Sequence, residues 1–87
     1  MNELNILREQ IDNIDAQIVS LLCQRLDAVK CVAEYKKAHG LEVLQHAREA
    51  EILNRIESMA NEREYAEHVL KIYAAVLETS KYMQRKI

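Results

Sequence analysis

Residues 4–39 read LNILREQIDNIDAQIVSLLCQRLDAVKCVAEYKKAH, a stretch that contains neither proline nor glycine. Apolar side chains recur in it with the three-to-four-residue spacing of one helix face. The members of this apolar seam are Leu4, Leu7, Ile11, Ile14, Ile18, Leu21, Ala28 and Val32. We therefore predict one very long N-terminal helix over about residues 4–39. It should end beside Gly40, because a glycine just past the last turn is a common helix stop.

The length of this helix bears on the state of association. At 1.5 Å per residue it extends roughly 50 Å, whereas a compact chain of this size has a radius of gyration of about 12 Å and a diameter of about 30 Å. Either the helix breaks near its middle, or two or more chains share one core. We favour the second alternative, an intertwined homodimer.

The rest of the chain predicts two further helices. Helix 2 should cover about residues 46–60, with Ile52 and Ile56 on its apolar stripe. Helix 3 should cover about residues 62–86, because Asn61 followed by Glu64 fits a capping box. With no proline and one glycine in 87 residues, we predict an all-α, three-helix protein that forms a single domain over residues 1–87.

Composition argues against several classes of function. A formal charge of −2, a pI near 5.9 and only four aromatic residues, all tyrosines, argue against a nucleic-acid binder. No apolar run approaches the length that spans a membrane, and the N-terminus lacks the regions of a signal peptide. Cys23 and Cys31 are too far apart on one helix to bond to each other, and the three histidines form no metal signature. We expect a cytoplasmic protein without a metal or a membrane partner.

Polar residues interrupt the apolar stripes of all three helices. Arg25 stands at a seam position, and Lys36 lies eleven residues later on the same side, about 16 Å along the axis. A charge on a core face is costly unless an opposite charge compensates it, and an excess of cations favours a compact ligand with more than one carboxylate. Arg8 lies about 42 Å from Lys36 along a straight helix, so it can serve the same pocket only from a neighbouring chain. The other interrupting residues are Arg48, Glu49, Ser80 and Gln84.

Taken in order, these residues resemble the all-helical (AroQ) class of chorismate mutases over essentially the whole chain. The resemblance rests on residues 7–12 (LREQID), Ile14-Asp15, Leu21-Leu22, Arg25, Lys36, Arg48-Glu49 and residues 78–84 (ETSKYMQ). It implies an intertwined three-helix homodimer with two equivalent active sites. It also implies an isomerase that converts chorismate to prephenate, without cofactor or metal, in phenylalanine and tyrosine biosynthesis by the shikimate pathway.

The same resemblance implies a role for each site residue. Arg25 and Arg48 would bind the substrate carboxylates together with Arg8 of the partner chain, and Ser80 would support a carboxylate. Lys36 and Gln84 would hydrogen-bond the ether oxygen, and Glu49 would bind the ring hydroxyl. The residues expected to act in catalysis are Lys36, Gln84, Arg25 and Glu49. Gln45 departs from the family pattern, because many members carry an aspartate at this point near the start of helix 2.

Two other functions fit the sequence. The first is an isochorismate-pyruvate lyase on the same scaffold, which Ile18-Val19, Arg25, Asp27 and Val29-Lys30 of helix 1 also resemble. The second is a non-catalytic helical dimerisation module, in which cations beside the apolar seam set the register or extend to solvent. Ser80, four residues before Gln84, favours the mutase over the lyase.

Overall fold

The computed structural model describes residues 2–61 and 64–87. It contains three helices: α1 (Glu3–Ala38), α2 (His46–Asn61) and α3 (Ala66–Arg85). No strand occurs in these described ranges, so the all-α prediction is confirmed. Helix α1 is continuous, and the alternative of a break near its middle is wrong.

Both ends of α1 carry capping interactions. The side chain of Asn2 accepts a hydrogen bond from the Asn5 amide at 2.8 Å, as an N-cap residue does. At the other end Gly40 has φ +66°, and the Leu41 and Gly40 amides donate to the carbonyl oxygens of Lys36 and Lys37, at 2.8 and 3.4 Å. This pair of bonds is a Schellman motif. The predicted stop at Gly40 is confirmed.

Helix α3 begins at Ala66, four residues later than the predicted start at residue 62. Glu64 has φ 63°, a left-handed conformation that a helix cannot continue through. Asn61 is the last residue of α2 rather than the N-cap of α3, and the N-cap residue is Tyr65. Residues 62 and 63, which belong to the predicted helix, lie outside the described residues.

The apolar core lies between α2 and α3, and α3 also packs on α1. Ile52, Ile56 and Leu77 are buried at its centre, and the residues packed around them are Leu53, Val69, Leu70 and Tyr73. On α1, by contrast, residues 2–24 are all exposed, including the apolar seam from Leu4 to Leu21. The chain is accordingly elongated, with a radius of gyration of 16.2 Å and extents of 57 × 24 × 14 Å. None of the helices in the described part of the chain is long and apolar enough to span a membrane.

Candidate active site

A cavity of about 260 Å³ is lined by residues of all three helices and of the connector between α1 and α2. The second half of α1, the first turns of α2 and the last turns of α3 each supply polar side chains to it. Its charged and amide-bearing lining residues are Arg25, Lys36, Gln45, Arg48, Glu49, Lys81 and Gln84, and its smaller wall residues are Ala28, Val29, Val32, Val43, Ile52, Leu77 and Ser80. The pocket therefore joins an aliphatic wall to a strongly cationic set of side chains.

Arg25 is held in the pocket by α3. Its Nη1 donates to the Ser80 hydroxyl at 2.6 Å, and that hydroxyl in turn donates to the Val76 carbonyl at 2.8 Å. Ser80 is buried, and its proton is bonded to its own helix, as is common for serine within a helix. Ser80 therefore presents an acceptor oxygen that fixes the direction of the Arg25 guanidinium.

Lys36 and Gln84 meet on one side of the pocket. The Lys36 ammonium donates to Gln84 Oε1 at 2.8 Å and to the Val43 carbonyl at 2.7 Å. An ammonium group has three donors, so one N–H is left for a ligand. Because Gln84 accepts through Oε1, its Nε2 amide can donate to the same ligand atom. Burial lowers the pKa of Lys36, and the nearby Glu49 carboxylate partly offsets this effect.

Glu49 lies in the first turn of α2, and Lys81 of α3 reaches across to it. The Lys81 ammonium lies 3.3 Å from both carboxylate oxygens of Glu49 and 2.7 Å from Glu78 Oε1. Arg48 forms an exposed ion pair with Glu51, one turn along the same helix. Its guanidinium has five donors, so this pairing leaves donors for a ligand in the pocket.

Comparison with known proteins identifies the family. The sequence model of chorismate mutase type II matches residues 7–85. The chain belongs to this family. The match confirms the resemblance that the residues of α1, α2 and α3 predicted.

Relatives of this chorismate mutase domain include proteins of different lengths. A chorismate mutase of Methanocaldococcus jannaschii is 31% identical over 87 residues, which are 99% of this chain and 88% of that protein. An intracellular chorismate mutase of Mycobacterium tuberculosis is 36% identical over 53 residues, 61% of this chain and 50% of that protein. A bifunctional chorismate mutase/prephenate dehydratase of Aquifex aeolicus is 32% identical over 92 residues, all of this chain and 25% of that protein. No solved structure matches the chain significantly.

The chorismate mutase domain brings seven of the eight predicted site residues to one pocket. They are Arg25, Lys36, Gln45, Arg48, Glu49, Ser80 and Gln84. Arg8 is exposed on the first turns of α1 and does not line the pocket of its own chain. Gln45 lies at the rim, where its side-chain amide donates to the Glu42 carbonyl at 2.8 Å.

Among the charged residues that line the pocket, Lys81 is the one that the sequence analysis did not predict as a site residue. The spacing of Leu77, Lys81 and Gln84 corresponds to one face of α3, and both neighbours on that face line the pocket. That spacing was the feature of the sequence from which the pocket position of Lys81 could have been predicted. The acidic partner that marks Lys81 as part of the site comes from α2, and only the fold shows it.

Proposed function

We propose that this chorismate mutase domain rearranges chorismate to prephenate in the pocket between α1, α2 and α3. The observation that carries the proposal is the Lys36–Gln84 pair, because it places a charged and a neutral donor side by side in the pocket that Arg25 also lines. The reaction breaks the ether C–O bond and forms a C–C bond within one molecule. It requires no external acid, base or nucleophile, so holding the reactive conformer contributes much of the rate.

Lys36 and Gln84 stabilise the transition state at the ether oxygen. Negative charge grows on this oxygen as the C–O bond breaks, and donors already in place interact more strongly with it then than in the ground state. The remaining N–H of Lys36 and the Nε2 amide of Gln84 are the donors. The Val43 carbonyl keeps the ammonium of Lys36 in position throughout.

The substrate carboxylates bind to the arginines. Arg25 is oriented by Ser80, so Ser80 supports a carboxylate through Arg25. Arg48 binds the second carboxylate from the rim of the pocket, and the Glu49 carboxylate accepts a hydrogen bond from the ring hydroxyl. A guanidinium group can donate two parallel hydrogen bonds to one carboxylate. Such a pair increases the affinity for the substrate dianion and also fixes its orientation.

We propose further that two chains form an intertwined homodimer. The accessible surface of the single chain is 7226 Å², whereas a folded monomer of this mass exposes about 5,300 Å². The excess of about 1,900 Å² is of the order that an obligate dimer buries. The apolar seam of α1 from Leu4 to Leu21 is exposed in the single chain, and antiparallel pairing of two α1 helices would cover it and bring Arg8 of one chain to the pocket of the other.

The reaction belongs to aromatic amino acid biosynthesis. The Aquifex aeolicus relative joins a chorismate mutase to a prephenate dehydratase, an activity named for the product of this rearrangement. We place the domain in the cytoplasm, because the Mycobacterium tuberculosis relative is an intracellular chorismate mutase. The free, exposed thiols of Cys23 and Cys31 fit a reducing compartment.

Purified protein incubated separately with chorismate and isochorismate tests the proposed function. We expect prephenate from chorismate, with loss of activity in Arg25→Ala. The matched control is Arg55→Ala, since Arg55 is an exposed arginine of α2 that does not line the pocket. Pyruvate and salicylate from isochorismate, without prephenate, would instead establish the lyase. If neither substrate yields a product, both enzyme functions are excluded, and the non-catalytic dimerisation module is the remaining alternative.

A further inference from the structure

Lys81 occupies an unusual position for a lysine. Its side chain is only 12% exposed, although the neighbouring Glu78 is 69% exposed. It lines the pocket, and its ammonium lies at the same distance, 3.3 Å, from both oxygens of Glu49. A lysine on a solvated helix face normally extends its ammonium into water, so this placement depends on the two carboxylates.

The three groups form a chain of charges that runs from the solvent to the pocket. Glu78 is on the exposed side, Lys81 is in the middle, and Glu49 faces the cavity. The hydrogen bond with Glu78 is the largest influence that raises the pKa of Lys81, and Glu49 raises it further. Lys81 therefore remains a cation at neutral pH, and Glu49 has a permanent counter-ion.

We propose that Lys81 is a positioning residue for Glu49, an assignment that rests on the proposed function. Contact with both oxygens fixes the plane of the Glu49 carboxylate, so that it meets the substrate hydroxyl in one orientation. The positive charge also offsets the repulsion between Glu49 and a substrate that carries two carboxylates. Without Lys81, the pocket would hold a less restrained anion beside an anionic ligand.

Replacement of Lys81 by methionine tests this role, because methionine keeps the aliphatic length and removes the charge. We expect kcat/KM with chorismate to fall about tenfold to a hundredfold, the range expected for loss of a hydrogen bond to a charged group. Lys81→Arg should recover most of the activity. Lys71→Met is the matched control, since Lys71 is an exposed lysine of α3 outside the pocket.

A second background separates positioning of Glu49 from a general effect on folding. In Glu49→Gln the amide needs no counter-ion, so adding Lys81→Met should lower kcat/KM less than about threefold further. An equal loss in both backgrounds would overturn the assignment, as would a Lys81→Met enzyme as active as wild type. If Lys81→Met does not fold, Lys81→Gln replaces it with the same expectations. Wild-type protein that makes no prephenate would overturn the proposed function itself.

Discussion

Lys36 combines a required positive charge with partial burial. Burial lowers the pKa of its ammonium from the ordinary 10.5, against the smaller opposing effect of Glu49. At neutral pH the folded protein holds a partly buried charge, which lowers its free energy of unfolding. As the pH rises through the lowered pKa of Lys36, the folded state loses this charge before the unfolded state does. The free energy of unfolding therefore increases with pH in this range.

Activity should change in the opposite direction. The proposed mechanism needs the Lys36 ammonium in its charged form. We therefore expect kcat/KM for chorismate to fall as the pH rises, and the midpoint of this fall should lie below pH 10.5, because the pKa of Lys36 is lowered. Lys81 should not produce this limb, since its pKa is raised rather than lowered. The pH profile of the wild type and of the control Lys71→Met checks the expectation. A profile that stays flat up to pH 10.5 in both would mean that Lys36 is not needed as a cation.

Gln84 provides the second residue-scale prediction. A glutamate at this position donates only when protonated, and the Lys36 ammonium, 2.8 Å from the present side chain, favours the ionised form. We expect Gln84→Glu to lose about a hundredfold in kcat near pH 7, the loss typical of one transition-state donor, and to recover in acid. Asn54→Asp makes the same chemical change on an exposed part of α2 and should keep the wild-type profile. Full activity of Gln84→Glu at pH 7 would place Gln84 away from the ether oxygen.

At the scale of the elements, strong and redundant sequence signals made α1 predictable. Its seam, its freedom from proline and the glycine after its last turn all indicate the same boundaries, and the structure agrees within one residue. The start of α3 rests on one local signal. Asn61 and Glu64 have the spacing of a capping box, but Asn61 ends α2 and Glu64 adopts a left-handed conformation. A short motif between two helices is compatible with the end of the first helix as well as with the start of the second.

The presence of these polar residues in one pocket was predictable from a different kind of signal. Arg25 and Ser80 interrupt apolar stripes, and a polar residue at such a position needs a partner. Lys81 shares a face of α3 with Leu77 and Gln84, but a lysine at such a position usually extends its ammonium to solvent. Its burial follows from the packing of α2 against α3, which is a tertiary effect that no local pattern contains.

Gly40 allows a test of how α1 ends. At φ +66° an added Cβ would meet no heavy atom within 4 Å, so the cost of Gly40→Ala is one of backbone conformation alone. We expect it to lower the free energy of unfolding by about 1–2 kcal/mol. Gly40→Asn should cost less, because asparagine tolerates this region better. Urea denaturation at one fixed protein concentration measures both; equal stability of the alanine and glycine forms would contradict the expectation.

At the scale of the whole molecule, the shape of α1 and the composition of the pocket are linked. The chain buries few apolar residues by itself in its described part, and residues 2–24 of that part are all exposed. The same segment carries Arg8, the predicted site residue that its own pocket does not contain. In the proposed dimer, one pairing of helices would cover the apolar seam and complete the active site.

Mixed dimers test this link directly. Arg8→Ala and Arg25→Ala should each be inactive alone, because every site lacks one arginine. In a heterodimer one site combines Arg25 of the first chain with Arg8 of the second and is intact, so a statistical mixture should regain about a quarter of wild-type activity. Arg25→Ala mixed with Arg48→Ala is the control: both residues line the pocket of one chain, so no intact site forms. Recovery in neither mixture, once heterodimers are demonstrated, or equal recovery in both, would contradict a pocket completed by Arg8 of the partner chain.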